Sequence, residues 1–265
     1  MKLLFLSDVR NFQFSEMIIN HLKPSYVLFL GDILFDGPGQ FYIVDKLKIQ
    51  NFFERDKLLK ENQVYSIKRH LIIKGNTHIS KEMFRIHLYY FLKTLKLLER
   101  LNIGYALISG NHDMFIDYND LFLHNGLNKG IFIENYRKIL IDNTVVILSS
   151  YGSSLDPLSV KDAKIVATHE SQRKLKDIIK NLRACSGLIS GHYGIKIELY
   201  SGDKQVRSAP YEKLLIKIDD FPLSFAVYEK ESFILYKTDI ESLINFKLKS
   251  WNFNTIYKRI CMVNS

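Results

Sequence analysis

The sequence predicts an α/β layered fold, and three observations predict it. Short apolar, β-branched or aromatic runs recur along the chain and stop abruptly at polar or glycine residues, as buried strands do. Amphipathic helical stretches fall between them. Hydrophobic residues make up 47% of the chain and charged residues 25%, an ordinary globular balance with enough apolar surface for a sizeable core.

The strand-like runs cover residues 2–7, 26–30, 105–109, 144–149, 164–168 and 188–190. Helical patterns cover 15–22, 80–101 and 171–184; the second places Phe84, His87, Leu88, Phe91, Leu95 and Leu98 on one stripe. After residue 194 the pattern turns to alternating strands at 195–200, 214–218, 224–228 and 233–236, which reads as an antiparallel closing sheet.

The 265 residues fit one large layered domain, 1–238, followed by a C-terminal extension, 239–265. Residues 37–79, opening on Gly37-Pro38-Gly39 and rich in charge, read as an insertion or partly helical lid. The extension holds the only tryptophan, Trp251, with Lys247, Lys249, Lys258 and Arg259, and is expected to be a helix packed on the core.

Lys and Arg number 37 against 28 Asp and Glu, a net +9 that favours polyanionic partners, nucleic acid among them, without requiring one. The two cysteines, Cys185 and Cys261, form no CxxC pair, which excludes a disulfide framework or a zinc ribbon and reads as a reduced, intracellular chain. No run reaches the roughly 18 apolar residues of a membrane span, and the N-terminal apolar stretch is too short for a signal peptide. A soluble, cytoplasmic protein is expected; oligomeric state is not legible.

Five polar clusters stand at or just past the ends of predicted strands: Ser7-Asp8-Val9-Arg10, Gly31-Asp32 through Asp36, Gly110-Asn111-His112-Asp113, Thr168-His169-Glu170 and Gly191-His192-Tyr193-Gly194. Ligands of open α/β sheets bind at such ends. Asp, Asn and His supply the oxygen and imidazole donors that suit manganese, iron or zinc. Each cluster alone is an ordinary strand-to-turn junction. The remaining histidines, His21, His70, His78, His87 and His124, lack partner spacing and read as structural.

In order, the clusters resemble the signature of the calcineurin-like metallophosphoesterases: D-x-H, G-D-x-x-D, G-N-H-D/E, a lone His, then G-H-x-H. The resemblance spans residues 8–194. It implies a four-layer α/β/β/α sandwich holding two divalent ions that clamp a phosphoryl group and the attacking hydroxide. By that resemblance Asp32, Asn111, His169 and His192 form one complete ligand set, with Asp32 bridging. The other set keeps Asp8 but carries Arg10 and Gly194 where the family has histidines. One or two ions per chain are expected, manganese first, with iron or zinc also suited.

The resemblance further makes His112 the group that contacts the substrate phosphate and protonates the leaving alkoxide, with Asp113 beside it to orient the ring and Asp36 as a supporting acceptor. Arg10 offers donors and no lone pair, so it cannot ligate a metal. It can instead pair with Asp8 and supply the fixed positive charge of the missing ion, still binding phosphate oxygens. A residue such as Asn11 or one from 37–79 could alternatively rebuild that position. The implied activity is a metal-dependent phosphoesterase, a phosphodiesterase or nuclease-like enzyme rather than a phosphoprotein phosphatase. The alternative is a catalytically impaired fold that binds a protein or nucleic acid. The basic stretch Arg173, Lys174, Lys176, Lys180 and Arg183 follows His169 closely and reads either as a solvated face or as a steering surface for a polyanion.

Overall fold

The structure is a computed structural model; it describes residues 1–9, 12–33, 63–67, 70–74, 78–111, 117–183, 186–191, 197–201, 204–206, 213–217, 224–237 and 249–252. In chain order the elements are β1 (Lys2–Leu6), α1 (Phe12–Leu22), β2 (Tyr26–Leu30), β3 (Gln63–Ile67), β4 (His70–Lys74), α2 (His78–Arg100), β5 (Gly104–Ile108), α3 (Tyr118–His124), β6 (Gly130–Ile133), β7 (Tyr136–Ile141) and β8 (Thr144–Ser149). A 3-10 turn (Pro157–Val160), β9 (Ile165–Thr168), α4 (Gln172–Asn181), β10 (Ser186–Ser190), β11 (Ile197–Ser201) and β12 (Lys204–Val206) follow. β13 (Lys213–Lys217), β14 (Ser224–Glu229), β15 (Ser232–Lys237) and β16 (Lys249–Asn252) complete the order.

Two seven-stranded sheets carry the fold. The first runs β16-β15-β14-β1-β2-β5-β6, the second β12-β11-β13-β10-β9-β8-β7. Each has four parallel strands: β1-β2-β5-β6 in the first, with antiparallel strands on the β1 side and β6 at the edge, and β8-β9-β10-β13 in the second, with antiparallel strands on both sides.

The central strands are continuous apolar runs because both of their faces are covered. In β1, Leu3 and Phe5 point to the second sheet, while Leu4 and Leu6 point to the helices. The same division separates Leu28 and Leu30 from Val27 and Phe29 in β2. Between the sheets, Val146, Leu148, Ile165, Ala167, Ile189 and Ile216 meet Phe5, Leu28, Ile108 and Phe233. Outside the first sheet lie Ile18 and Ile19 of α1, Phe91, Leu95 and Leu98 of α2, and Tyr118 and Phe122 of α3. Outside the second lie Leu175, Ile178 and Ile179 of α4. The layers are therefore helix, sheet, sheet, helix, as the motif resemblance implies. The stripe expected on the second helix is buried at Phe91, Leu95 and Leu98; the side chains of Phe84 and His87 lie outside those described.

Two expectations need correction. The strands after residue 194 do not form one closing sheet: β11, β12 and β13 extend the second sheet, whereas β14 and β15 join the first, β14 antiparallel to β1. Alternation fixes which residues face a core and carries no information about the partner strand. The Trp251 segment, expected to be helical, pairs with β15 as β16, Leu235 opposite Trp251. Within the stretch read as an insertion, residues 63–67 and 70–74 form the β3–β4 pair, a two-stranded sheet of its own, α2 begins at His78, and the other residues of 37–79 lie outside those described.

Candidate metal centre

β1, β2 and β5 are parallel neighbours in one sheet, so the loops after them emerge at one edge; β9 and β10 bring their own ends beside it from the other sheet. Asp8, Asp32 and Asn111 follow the first three strands, and His169 follows β9 directly. Asp8, Asp32 and His169 are buried, and their ligand atoms all lie within 4.8 Å of one another.

Hydrogen bonds across the sheets fix this geometry. The His169 Nδ1–H donates to the Leu30 carbonyl at 2.7 Å, joining the end of β9 to the end of β2. Its Nε2 faces Asp32 Oδ2 and Asn111 Oδ1, each at 3.2 Å. The Ser7 hydroxyl donates to Asp8 Oδ2 at 2.5 Å, and the Asp8 N–H donates to the Gly31 carbonyl at 3.1 Å. Asp8 and Asp32 both have φ of +52°, the left-handed region that Asp tolerates better than most side chains and that concentrates at functional sites.

Close approach of the loops depends on glycine. Gly31 has φ of +83°, and a Cβ there would stand 2.5 Å from the Gly110 nitrogen. A Cβ on Gly110 would meet Asp32 Oδ1 at 2.0 Å. Each of these glycines immediately precedes a donor residue, so the backbone is thinned at the points where the donors converge.

Burial disfavours the charged His169 ring, but the hydrogen bond and charge of Asp32, then the charge of Asp8 and the Leu30 carbonyl, outweigh it and hold the ring at about 9. The imidazolium places a positive charge between two buried carboxylates. A divalent cation satisfies the same demand more fully, since it accepts both carboxylates, Nε2 and the Asn111 carbonyl oxygen as ligands. The donor set therefore fits a divalent ion with mixed oxygen and nitrogen ligation.

Of the residues selected from sequence, the structure brings together Asp8, Asp32, Asn111 and His169. It joins Asp8, kept from the other ligand set, to Asp32, the residue expected to bridge the two sets, and to His169 in one group. Arg10, Asp36, His112, Asp113, His192 and Gly194 lie outside the described residues. Glu170, although buried beside His169, pairs with Lys174 at 3.1 Å. Two participants carry no role in the sequence reading. Ser7 orients Asp8, and the only signal for it is its adjacency. Tyr151 sets its ring edge-on to His169, with centroids 6.3 Å apart, and no local pattern marks it.

No protein-family model and no curated protein matches the sequence. Solved structures do. The chain is similar to YfcE, a phosphoesterase from E. coli, at 13% identity and a TM-score of 0.44, covering 95% of this chain and 98% of that one. It is similar to TT1561 of Thermus thermophilus at 10% identity and a TM-score of 0.46, with 95% and 98% covered. It is also similar to GAP50, the anchor in the inner membrane complex of Plasmodium, at 10% identity and a TM-score of 0.43, with 95% and 89% covered. Two mixed sheets lie face to face between helices, with Asp8, Asp32, Asn111 and His169 gathered at strand ends, an α/β/β/α sandwich.

Proposed function

We propose that the protein is a metal-dependent phosphoesterase acting on phosphodiesters. The observation that carries the reading is the buried group of Asp8, Asp32 and His169, drawn from both sheets, with Asn111 Oδ1 3.2 Å from His169 Nε2. In this reading Asp32, Asn111 and His169 hold the ion together with His192, and Asp8 lies beside them. A divalent ion held there supplies Lewis-acid polarisation of a phosphoryl oxygen and lowers the pKa of water. Manganese is the ion proposed.

His112 donates the proton to the leaving alkoxide, and Asp113 holds its ring for that transfer. Arg10 pairs with Asp8 and grips the phosphate oxygens with its planar guanidinium. Nucleic acid is the substrate class the charge favours. The net charge is +9, and Arg173, Lys176, Lys180 and Arg183 are exposed on α4 and just beyond it, on the side opposite the buried Leu175, Ile178, Ile179 and Leu182.

The test is hydrolysis of a chromogenic phosphodiester with added manganese, alongside Arg10→Ala, His112→Ala and His192→Ala. Activity that chelator removes and that His112→Ala and His192→Ala each abolish supports the reading, with Arg10→Ala lowering the rate through weaker phosphate binding. Equal rates in all four folded proteins point instead to a binding scaffold.

A further inference from the structure

α2 shows solvent one narrow face. Of the residues from Leu88 to Arg100, only Tyr89, Lys93, Lys96 and Arg100 are exposed. They stand four, three and four residues apart, so at about 3.6 residues per turn all four fall on a single ridge. Phe91, Leu95 and Leu98 occupy the opposite side of the helix, against the first sheet. The ridge is about 16 Å long.

Exposed helix faces ordinarily mix signs, with acids and bases a turn apart pairing with each other. No acid stands on this one. Glu99 lies off the ridge, where it accepts from the Tyr105 hydroxyl at 3.0 Å and from the Lys129 N–H at 2.8 Å. Glu16 of α1 reaches only the first cation, 3.3 Å from Lys93. Lys96 and Arg100 have no acidic partner among the described residues. At the head of the row Tyr89 is 62% exposed, touching the edge-on ring of Tyr90 with centroids 5.3 Å apart. Three cations and an aromatic ring therefore line one open face.

We infer that this ridge is a docking surface for a single strand of nucleic acid, with phosphates on Lys93, Lys96 and Arg100 and a base stacked on Tyr89. A row of cations attracts a phosphate backbone through release of its counterions, and an exposed aromatic ring offers an unpaired base a stacking face. The length of the ridge matches roughly five nucleotides at about 3.4 Å per phosphate. An anionic membrane fits this face less well, because helices that lie on lipid turn a broad apolar side toward it, and the apolar side of α2 is packed on the sheet. The surface is separate from the cations of α4, which belong to the helical layer on the other sheet.

The test is fluorescence anisotropy of a labelled oligothymidylate of about a dozen nucleotides, titrated with the full chain in chelator and again in manganese over a range of salt. The strand is expected to bind in both. In the Lys96→Ala/Arg100→Ala double variant the slope of log affinity against log salt becomes shallower by about 1.4, the share of two phosphate contacts. Tyr89→Ala weakens binding at least about fivefold and leaves that slope unchanged, and Tyr89→Phe binds normally. No binding of the strand, or binding that none of these substitutions alters, overturns the inference. So does a loss seen only in Arg173→Ala/Lys176→Ala, which places the strand on α4, or capture by phosphatidylserine vesicles of a protein that leaves the strand unbound. Each of these outcomes is independent of manganese-dependent hydrolysis of a small chromogenic phosphodiester, which tests the proposed function.

Discussion

His169 shows how much one residue depends on its surroundings. Its Nδ1 is committed to the Leu30 carbonyl, so Nε2 is the nitrogen left to face Asp32 and Asn111. In the metal-free protein that nitrogen keeps a proton up to about 9, because two buried carboxylates outweigh the cost of a buried charge. An ion at Nε2 must displace the proton. Below that pKa each unit of falling pH therefore raises the proton's competition, and apparent manganese affinity is expected to drop by up to about tenfold per unit, levelling off above about 9. Manganese titrations on both sides of that value, each with proton release measured, check this. An affinity independent of pH, with no proton released, contradicts it. The donor types at Asp8, Asp32, Asn111 and His169 were legible because each follows a strand signal. The distances among them were not, since spacing along a chain carries no distance between strand ends.

At the scale of elements, α4 has its apolar side chains in one face, with Leu175, Ile178, Ile179 and Leu182 against the second sheet and Arg173, Lys176 and Lys180 in solvent. Leu175→Ala and Ile178→Ala are each expected to cost about 2–5 kcal/mol, because the vacated volume is fully enclosed. Lys176→Ala is expected to stay within about 0.5 kcal/mol. Urea midpoints measured side by side separate the two classes, and a similar loss at Lys176 would mean that the exposed face is packed. Elements of this kind were readable from periodicity alone: β2 and β8 begin and end where their sequence runs do, at 26–30 and 144–149. β6, β7 and α3 escaped because they are short or half-exposed; in β7 no residue is fully buried, so the contrast that periodicity needs is missing.

The whole molecule is held where its two sheets meet, and the candidate metal centre lies on that seam. Asp8, Asp32 and Asn111 come from one sheet and His169 from the other, so an ion bound among them ties the sheets together in the folded state only. Manganese at about a hundred times its dissociation constant is expected to add about 2.7 kcal/mol. For a chain of this size that raises the melting temperature by roughly 5–10 °C. Thermal unfolding with manganese and with chelator measures it, and Asp32→Asn should melt alike in both. A rise that persists in Asp32→Asn places the stabilising ion elsewhere.

By itself the sequence determined the layered α/β class, most strand and helix positions, and the donor residues at strand ends. These follow from local quantities: side-chain period, glycine at turns, and the chemistry of Asp, Asn and His. Only the tertiary structure decided which strand pairs with which. It sent β14 back to β1 and β13 to β10, made a strand of the Trp251 segment, and set the distances among Asp8, Asp32 and His169. Partner choice is settled by burial of whole faces and by hydrogen bonds such as that from His169 to Leu30, 139 residues apart, and no local window of sequence contains either end together with the other.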